Sequence, residues 1–136
     1  MKPLSEAELL AAPQEDYMSA RQRDFFRNRL IAEEQALVEA AHETTRHLQE
    51  NEATPDWTDR ASSEEEHTLE LRVRDRERKL LKKIREALQR IDDGNYGWCA
   101  ETGEPIGLPR LLARPTATLC LDAQERREQR KRQFGD

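Results

Sequence analysis

Aromatic side chains make up only 5% of this 136-residue chain, which leaves little material for a large spherical core. Cysteine is reduced to two residues, Cys99 and Cys120. No apolar run is long enough to span a bilayer, and the opening Met1-Lys-Pro-Leu-Ser lacks the apolar centre of a signal peptide. The expected compartment is therefore the cytoplasm, where two thiols are not read as a structural disulfide. An excess of positive charge is missing too. Lys and Arg number 23 against 28 Asp and Glu, a formal charge of −5, which argues against a chain whose main work is gripping nucleic-acid phosphates. Between Tyr17 and Glu50 there is neither glycine nor proline, so nothing interrupts a helix there.

What is abundant is charge, at 38% of residues, a proportion that suits long solvated helices. In the stretch from Tyr17 to Glu50, Phe26, Leu30, Leu37, Ala41, Thr44 and Leu48 recur at steps of three, four and seven. A second run, from about Asp59 to Asp92, places Leu69, Val73, Leu80, Ile84, Leu88 and Ile91 at the same kind of spacing. Each helix would be roughly 50 Å long, and neither is stable with its stripe in water. The short break between them, Thr54-Pro-Asp-Trp-Thr-Asp-Arg-Ala61, makes the pair an antiparallel coiled-coil hairpin with its tip at 51–61. A dimer through parallel helices is the alternative. The predicted fold class is mainly α: an arm or short helix over 1–16, the hairpin over 17–92, and a small unit with a C-terminal helix over 93–136.

Much of the charge pattern has an ordinary reading. Glu64, Glu65 and Glu66 in the first turns of the second helix and Arg85 and Arg90 in its last suit the helix macrodipole, and Thr58 or Asp59 would cap its start. Arg72, Arg74, Arg76, Arg78, Lys79, Lys82 and Lys83 alternate with Glu70, Asp75 and Glu77, as on a solvated face. His42, His47 and His67 form no metal pair and read as surface residues. Asp56 and Asp59 have the plain roles of turn solubility and N-capping.

After Ile91, Asp92-Asp-Gly-Asn-Tyr-Gly-Trp-Cys supplies helix-stop and turn residues. The unit beyond holds short apolar pieces, Pro105-Ile-Gly-Leu and Leu111-Leu-Ala, and a helix from about Leu121 to Gln133. Units this small usually need a metal, a disulfide or a neighbour to dock on.

Several motifs together carry a resemblance: Asp56-x-x-Asp59-Arg-Ala61, Glu-Glu-Glu, Leu-Glu-Leu-Arg, Arg-Asp-Arg-Glu-Arg-Lys-Leu, Gly-x-Pro-Ile-Gly and Ala-Arg-Pro-Thr-Ala. The chain resembles the DksA/TraR family of bacterial RNA-polymerase-binding regulators from Asp56 to its end; Tyr17 to Glu50 fits the first coiled-coil helix by pattern. The resemblance implies a hairpin that enters the secondary channel of RNA polymerase and alters initiation-complex stability without sequence-specific DNA contact. Asp56, Asp59 and Ala61 match the functional tip. Arg72, Arg76 and Lys79 match positions that engage the polymerase. Leu80, Lys83 and Arg114 match the site for guanosine tetraphosphate at the polymerase interface, while a third cation position in that site is Gln124 here.

The family's finger pairs four cysteines as Cys-x-x-Cys, seventeen residues, Cys-x-x-Cys. This chain keeps the spacing but has Cys99, Thr102, Cys120 and Ala123 at the four positions. Two thiolates half-fill a tetrahedral zinc shell, so the chain is similar to cysteine-poor, zinc-independent members of the family. Glu101 or Asp122 would have to turn inward to rescue the metal. Packing of Trp98, Ile106, Leu108, Leu111 and Leu119, with Thr102 and Ala123, is expected to replace it. The expected protein is a monomeric, non-enzymatic transcription regulator, with the alarmone as effector and no required cofactor. The basic C-terminal helix, Arg126 to Arg132, supports the rival reading of a nonspecific DNA-binding protein; a free-standing coiled-coil scaffold is the other. A catalytic role for Asp56 and Asp59 would need a water-excluding pocket that a hairpin tip lacks.

Overall fold

A computed structural model of the chain describes residues 2–52 and 60–135, with backbone only at 51, 52 and 60–63. Its helices are α1 (Glu6–Ala11), α2 (Ala20–Glu52), α3 (Arg60–Asp93), α4 (Leu108–Ala113) and α5 (Leu121–Phe134). The fold is mainly helical, as its composition and periodicity require. Contacts divide it into two compact units, one formed by Met1–Leu30 with Glu86–Asp136 and the other by Ile31–Arg85. No helix among the described residues is long and apolar enough to cross a membrane.

The helix ends follow local chemistry. Ser5 and Glu8 form a reciprocal capping box at α1. Before α2 the chain turns through Met18, whose φ of 57° is left-handed. The Ser19 hydroxyl accepts from Gln22 N–H at 3.3 Å, and Gln22 Oε1 accepts from Met18 N–H at 2.9 Å. One donor that the helix leaves orphaned, Gln22 N–H, and the Met18 N–H just before the cap are thereby satisfied. At the far end of α3, Gly94 has φ 80°, and Asn95 and Tyr96 N–H groups return to Arg90 O at 2.9 and 3.1 Å.

Within Ile31–Arg85 the two long helices are antiparallel: Glu34 pairs with Arg85 at 3.2 Å, Thr44 with Glu77 at 3.0 Å, and His47 with Glu70. The α2 side of this seam follows the expected stripe, with Leu48 buried and Leu37, Ala41 and Thr44 half-buried. The α3 side requires a correction. Leu69, Val73 and Leu80 are 58%, 49% and 44% exposed, whereas Glu77 is buried and Glu70 half-buried. The seam is polar at Glu70 and Glu77, and Leu69, Val73 and Leu80 lie on the outer face of α3, while Ile84 nearer the other end is buried as expected.

The other unit holds most of the core. Phe26 and Tyr96 rings sit 5.5 Å apart, and Leu9, Leu30, Ile91 and Leu111 are buried with them, each worth about 1.5–3 kcal/mol relative to exposure. Tyr17 links three segments: its hydroxyl donates to Gly97 O at 2.5 Å and accepts from Gly107 N–H at 2.9 Å. Burial pushes its phenol up from the usual range, against the lowering effect of backbone bonds from Gly107 and Ile106. Gly97 has no alternative residue, because a Cβ there would meet Met18 Cγ and Sδ at 2.6 Å and its φ is 89°.

Candidate functional site

Successive residues of an α-helix advance by about 100°, so Leu69, Arg72, Val73, Arg76, Leu80 and Lys83 share one face of α3. All six are exposed. Arg72, Arg76 and Lys83 have no ion-pair partner among the described residues. Lys79 lies at the edge of this face and is partly neutralised by Asp75 at 3.1 Å, which also takes Arg78 at 2.8 Å. Hydrogen bonds from Lys79 and then Arg78 hold the Asp75 carboxyl below its usual range. Cations alternating with exposed aliphatic residues make an adhesive strip for an acidic surface: the long stems cover apolar area while the charged heads reach outward.

Asp56 and Asp59 lie outside the described residues, as do the capping roles considered for Thr58 and Asp59. Ala61 falls within the first turn of α3, and only its backbone is described.

The finger region is a tight knot of turns. Cys99 N–H donates to Glu104 O at 2.7 Å, Gly103 N–H returns to Cys99 O at 2.9 Å, and Ala100 N–H reaches Thr118 O at 2.8 Å. Cys120 is the N-cap residue of α5. Both cysteines are free. Burial raises the Cys99 thiol, but hydrogen bonds from the Thr102 hydroxyl and from backbone N–H groups of Cys120, Thr102 and Glu101 outweigh it, bringing the thiol down to about 6. Ile106, Leu111, Leu119 and Ala123 pack inside as expected. Trp98 and Thr102 do not: Thr102 is exposed in the turn with its hydroxyl on Glu104 N–H, and Trp98 is 37% exposed and stands edge-on to Tyr17. That ring braces the N-terminal segment instead of filling the finger.

Arg114 and Gln124 line one groove of about 850 Å³ between α4 and α5, together with Ile106, Pro109, Arg110 and Glu128. Arg110 is tied to Leu119 O at 3.0 Å, and the Gln124 amide donates to Glu128 Oε1 at 3.1 Å. Arg114 is the exposed cation of this groove, opposed by Glu125 and Glu128. Leu80 and Lys83 belong to the Ile31–Arg85 unit.

The sequence model described as the DnaK suppressor protein DksA N-terminal domain matches residues 22–91, more than half of the chain. The chain belongs to the DksA/TraR family. A second model, the prokaryotic dksA/traR C4-type zinc finger, matches residues 94–129. Relatives include the RNA polymerase-binding transcription factor DksA of Caulobacter vibrioides, 53% identical over 91% of this chain and 89% of its own length. The Escherichia coli K12 protein of that name is 46% identical over 90% and 82%. Among solved structures, the transcription factor DksA2 from Pseudomonas aeruginosa superposes with a TM-score of 0.88 and 52% identity, covering 94% of this chain and 99% of that one.

The C4 finger of the DksA/TraR family implies zinc, and the residues here do not fit it. Two of the four positions carry sulfur, Ala123 is wholly buried without a donor, and Thr102 Oγ1 is occupied by Glu104 N–H at 3.2 Å. Glu101 has turned to Arg127 at 3.0 Å and Arg130 at 3.8 Å. Asp122 is exposed on the first turn of α5. No group of three metal-binding side chains exists among the described residues.

Three structurally decisive residues were not singled out from sequence: Tyr17, Gln22 and Glu77. For Gln22 a signal was present, the Ser19-x-x-Gln22 spacing of a capping box. For Tyr17 and Glu77 the partners are more than thirty residues away, and local pattern carries no trace of them.

Proposed function

We propose that this chain binds bacterial RNA polymerase through the secondary channel and regulates transcription initiation, acting in the cytoplasm without chemistry of its own. The observation that carries this is the exposed face of α3, where Arg72, Val73, Arg76 and Leu80 alternate cation with aliphatic group, in a chain 53% identical to a relative named for polymerase binding. In this reading, residues 1–16, 17–92 and 93–136 serve as arm, hairpin and seating unit. Arg72, Arg76 and Lys79 engage acidic polymerase surface, and Asp56, Asp59 and Ala61 work at the tip, where carboxylates perturb basic or metal-linked groups near the active centre. The protein works as a monomer and needs no sequence-specific DNA contact.

Guanosine tetraphosphate acts through Leu80, Lys83, Arg114 and Gln124 at the polymerase interface. Its response is weak, because Gln124 brings no charge and the groove already holds Glu125 and Glu128. The donor set at Cys99, Thr102, Cys120 and Ala123 supports a fold that needs no structural zinc. The deciding experiment is transcription in vitro from a ribosomal-RNA-type promoter. Asp59→Asn retains polymerase binding and loses most inhibition; equal inhibition by variant and parent rules out the tip mechanism. In the same assay zinc chelation leaves the parent active.

A further inference from the structure

The antiparallel helices within Ile31–Arg85 have two flanks, and contacts across the seam tell them apart. Glu34 bonds Arg85 on one, while His47 reaches Glu70 from the other. At about 100° per residue, Ala36, Ala40 and Glu43 fall on the His47 side of α2, and Val73, Arg76 and Leu80 on the side of α3 away from Arg85. All six are exposed. This flank is divided lengthwise. Its α2 half is small and acidic, and its α3 half is long, aliphatic and cationic. Because Thr44 meets Glu77 and Glu34 meets Arg85, Ala40 stands level with Leu80 and Glu43 with Arg76, each to within a turn. Glu43 and Arg76 nevertheless have no ion-pair partner among the described residues.

We propose that this flank is a homodimer interface, covered by a second copy of the chain. A two-fold axis parallel to the helices lays α2 of one copy on α3 of the other and keeps every level unchanged. Leu80 then enters the shallow trough over Ala40 of the second copy, and Arg76 meets its Glu43. Both contacts occur twice, because the same patch serves each copy. The other two-fold that sets these flanks face to face, perpendicular to the helices, would place α3 on α3 and cation against cation, a costly arrangement. Charge and side-chain size therefore select one geometry. The strip from Leu69 to Lys83 is only about 20 Å long, which makes the contact small and weak, formed and lost as concentration changes. The dimer does not rest on the polymerase reading. Where that reading holds, the same face serves both partners, and the dimer is a resting form that must part before the polymerase is engaged.

The test is sedimentation equilibrium of the reduced full chain at concentrations from about 1 μM to about 1 mM. The parent passes from monomer to dimer across that span, with no larger species, and the transition moves to higher concentration as salt rises. Glu43→Arg and Arg76→Glu each set like charges together at both contacts and weaken the dimer by about tenfold. An equimolar mixture of these two variants regains the parent's dimer, because only the mixed pair restores opposite charges at both contacts. Recovery on mixing is a result that a folding defect in either variant does not produce. A chain that stays monomeric up to about 1 mM overturns the proposal and leaves the face to the polymerase alone. A dimer indifferent to both substitutions, or one that mixing fails to restore, overturns it equally. Inhibition of transcription by the parent at concentrations where it is monomeric tests the polymerase reading separately, so the two can fail independently.

Discussion

Thr44 Oγ1 meets Glu77 Oε1 at 3.0 Å across the antiparallel pair, and the same hydroxyl lies 3.0 Å from Ala40 O. Its single proton is shared between the two acceptors. Glu77 Oε2 is buried and without a partner among the described residues. A helix seam that could have been closed with two aliphatic side chains is held instead by an incompletely satisfied polar pair.

That pair sets an ordering of stabilities. Thr44→Val removes the hydrogen-bond partner that the buried Glu77 carboxylate has among the described residues and destabilises by about 1–3 kcal/mol. Adding Glu77→Leu removes the carboxylate itself, and the double variant recovers to the parent's stability or above it. Urea denaturation of the three proteins checks this; a double variant less stable than Thr44→Val would show that the seam gains stability from its polarity.

Tyr17 gives the finger region a dependence on alkaline pH. Its phenol is raised above 10.0 by burial, so the unfolded chain loses this proton first. The stability it contributes is complete below pH 10 and disappears as pH climbs through the higher folded value. Thermal melts across that window should fall in the parent and flatten in Tyr17→Phe, which also loses about 1–3 kcal/mol at neutral pH by stranding Gly97 O and Gly107 N–H.

Cys99 acts with the opposite sign. With the thiol at about 6 in the fold against 9.0 ordinarily, the unfolded chain binds the extra proton over that interval. The contribution is full above pH 9 and vanishes as pH falls through 6. Thiolate absorbance, followed in a Cys120→Ser background to isolate one sulfur, should show an inflection far below that of a free thiol. Thr102→Val should move it upward, because the hydroxyl is the largest of the lowering contributions.

The outer face of α3 predicts a kinetic signature. Arg72→Glu and Arg76→Glu each slow association with RNA polymerase by about tenfold at low salt, with the gap narrowing as ionic strength rises. Asp75→Asn should speed association slightly, since it releases Lys79. Surface plasmon resonance at two salt concentrations separates these effects from misfolding, which would be indifferent to salt.

Both long helices and the stop at Gly94 are readable, because each depends on local spacing or a backbone preference; the burial of Ile106, Leu111, Leu119 and Ala123 is expected only through the resemblance, as packing in place of the metal. The outer cations became meaningful only through the resemblance; alone they matched any solvated face. At Leu69, Val73 and Leu80 the apolar stripe of α3 points away from the seam, because side-chain type alone does not fix direction on a charged helix, and the polar identity of Glu70 and Glu77 conceals the inward positions. The helix α4 was missed for another reason: Gly107 and Pro109 look like loop residues, although a glycine at φ 98° before the helix and a proline in its first turn are a sound start. Exposure of Trp98 depends on Tyr17, a partner that no window of neighbouring residues includes.

One of the two compact units is discontinuous in the chain, made of Met1–Leu30 and Glu86–Asp136. During vectorial synthesis this imposes a waiting time. Tyr17 emerges from the ribosome long before Gly97 and Gly107 exist, so Leu9, Met18 and Phe26 must stay unsatisfied while everything between is translated. The segment Ile31–Arg85 is complete earlier and can pair its helices first, after which it ties the ends of the chain into a shorter effective loop. The last fifty residues thus finish a structure that the first thirty only begin.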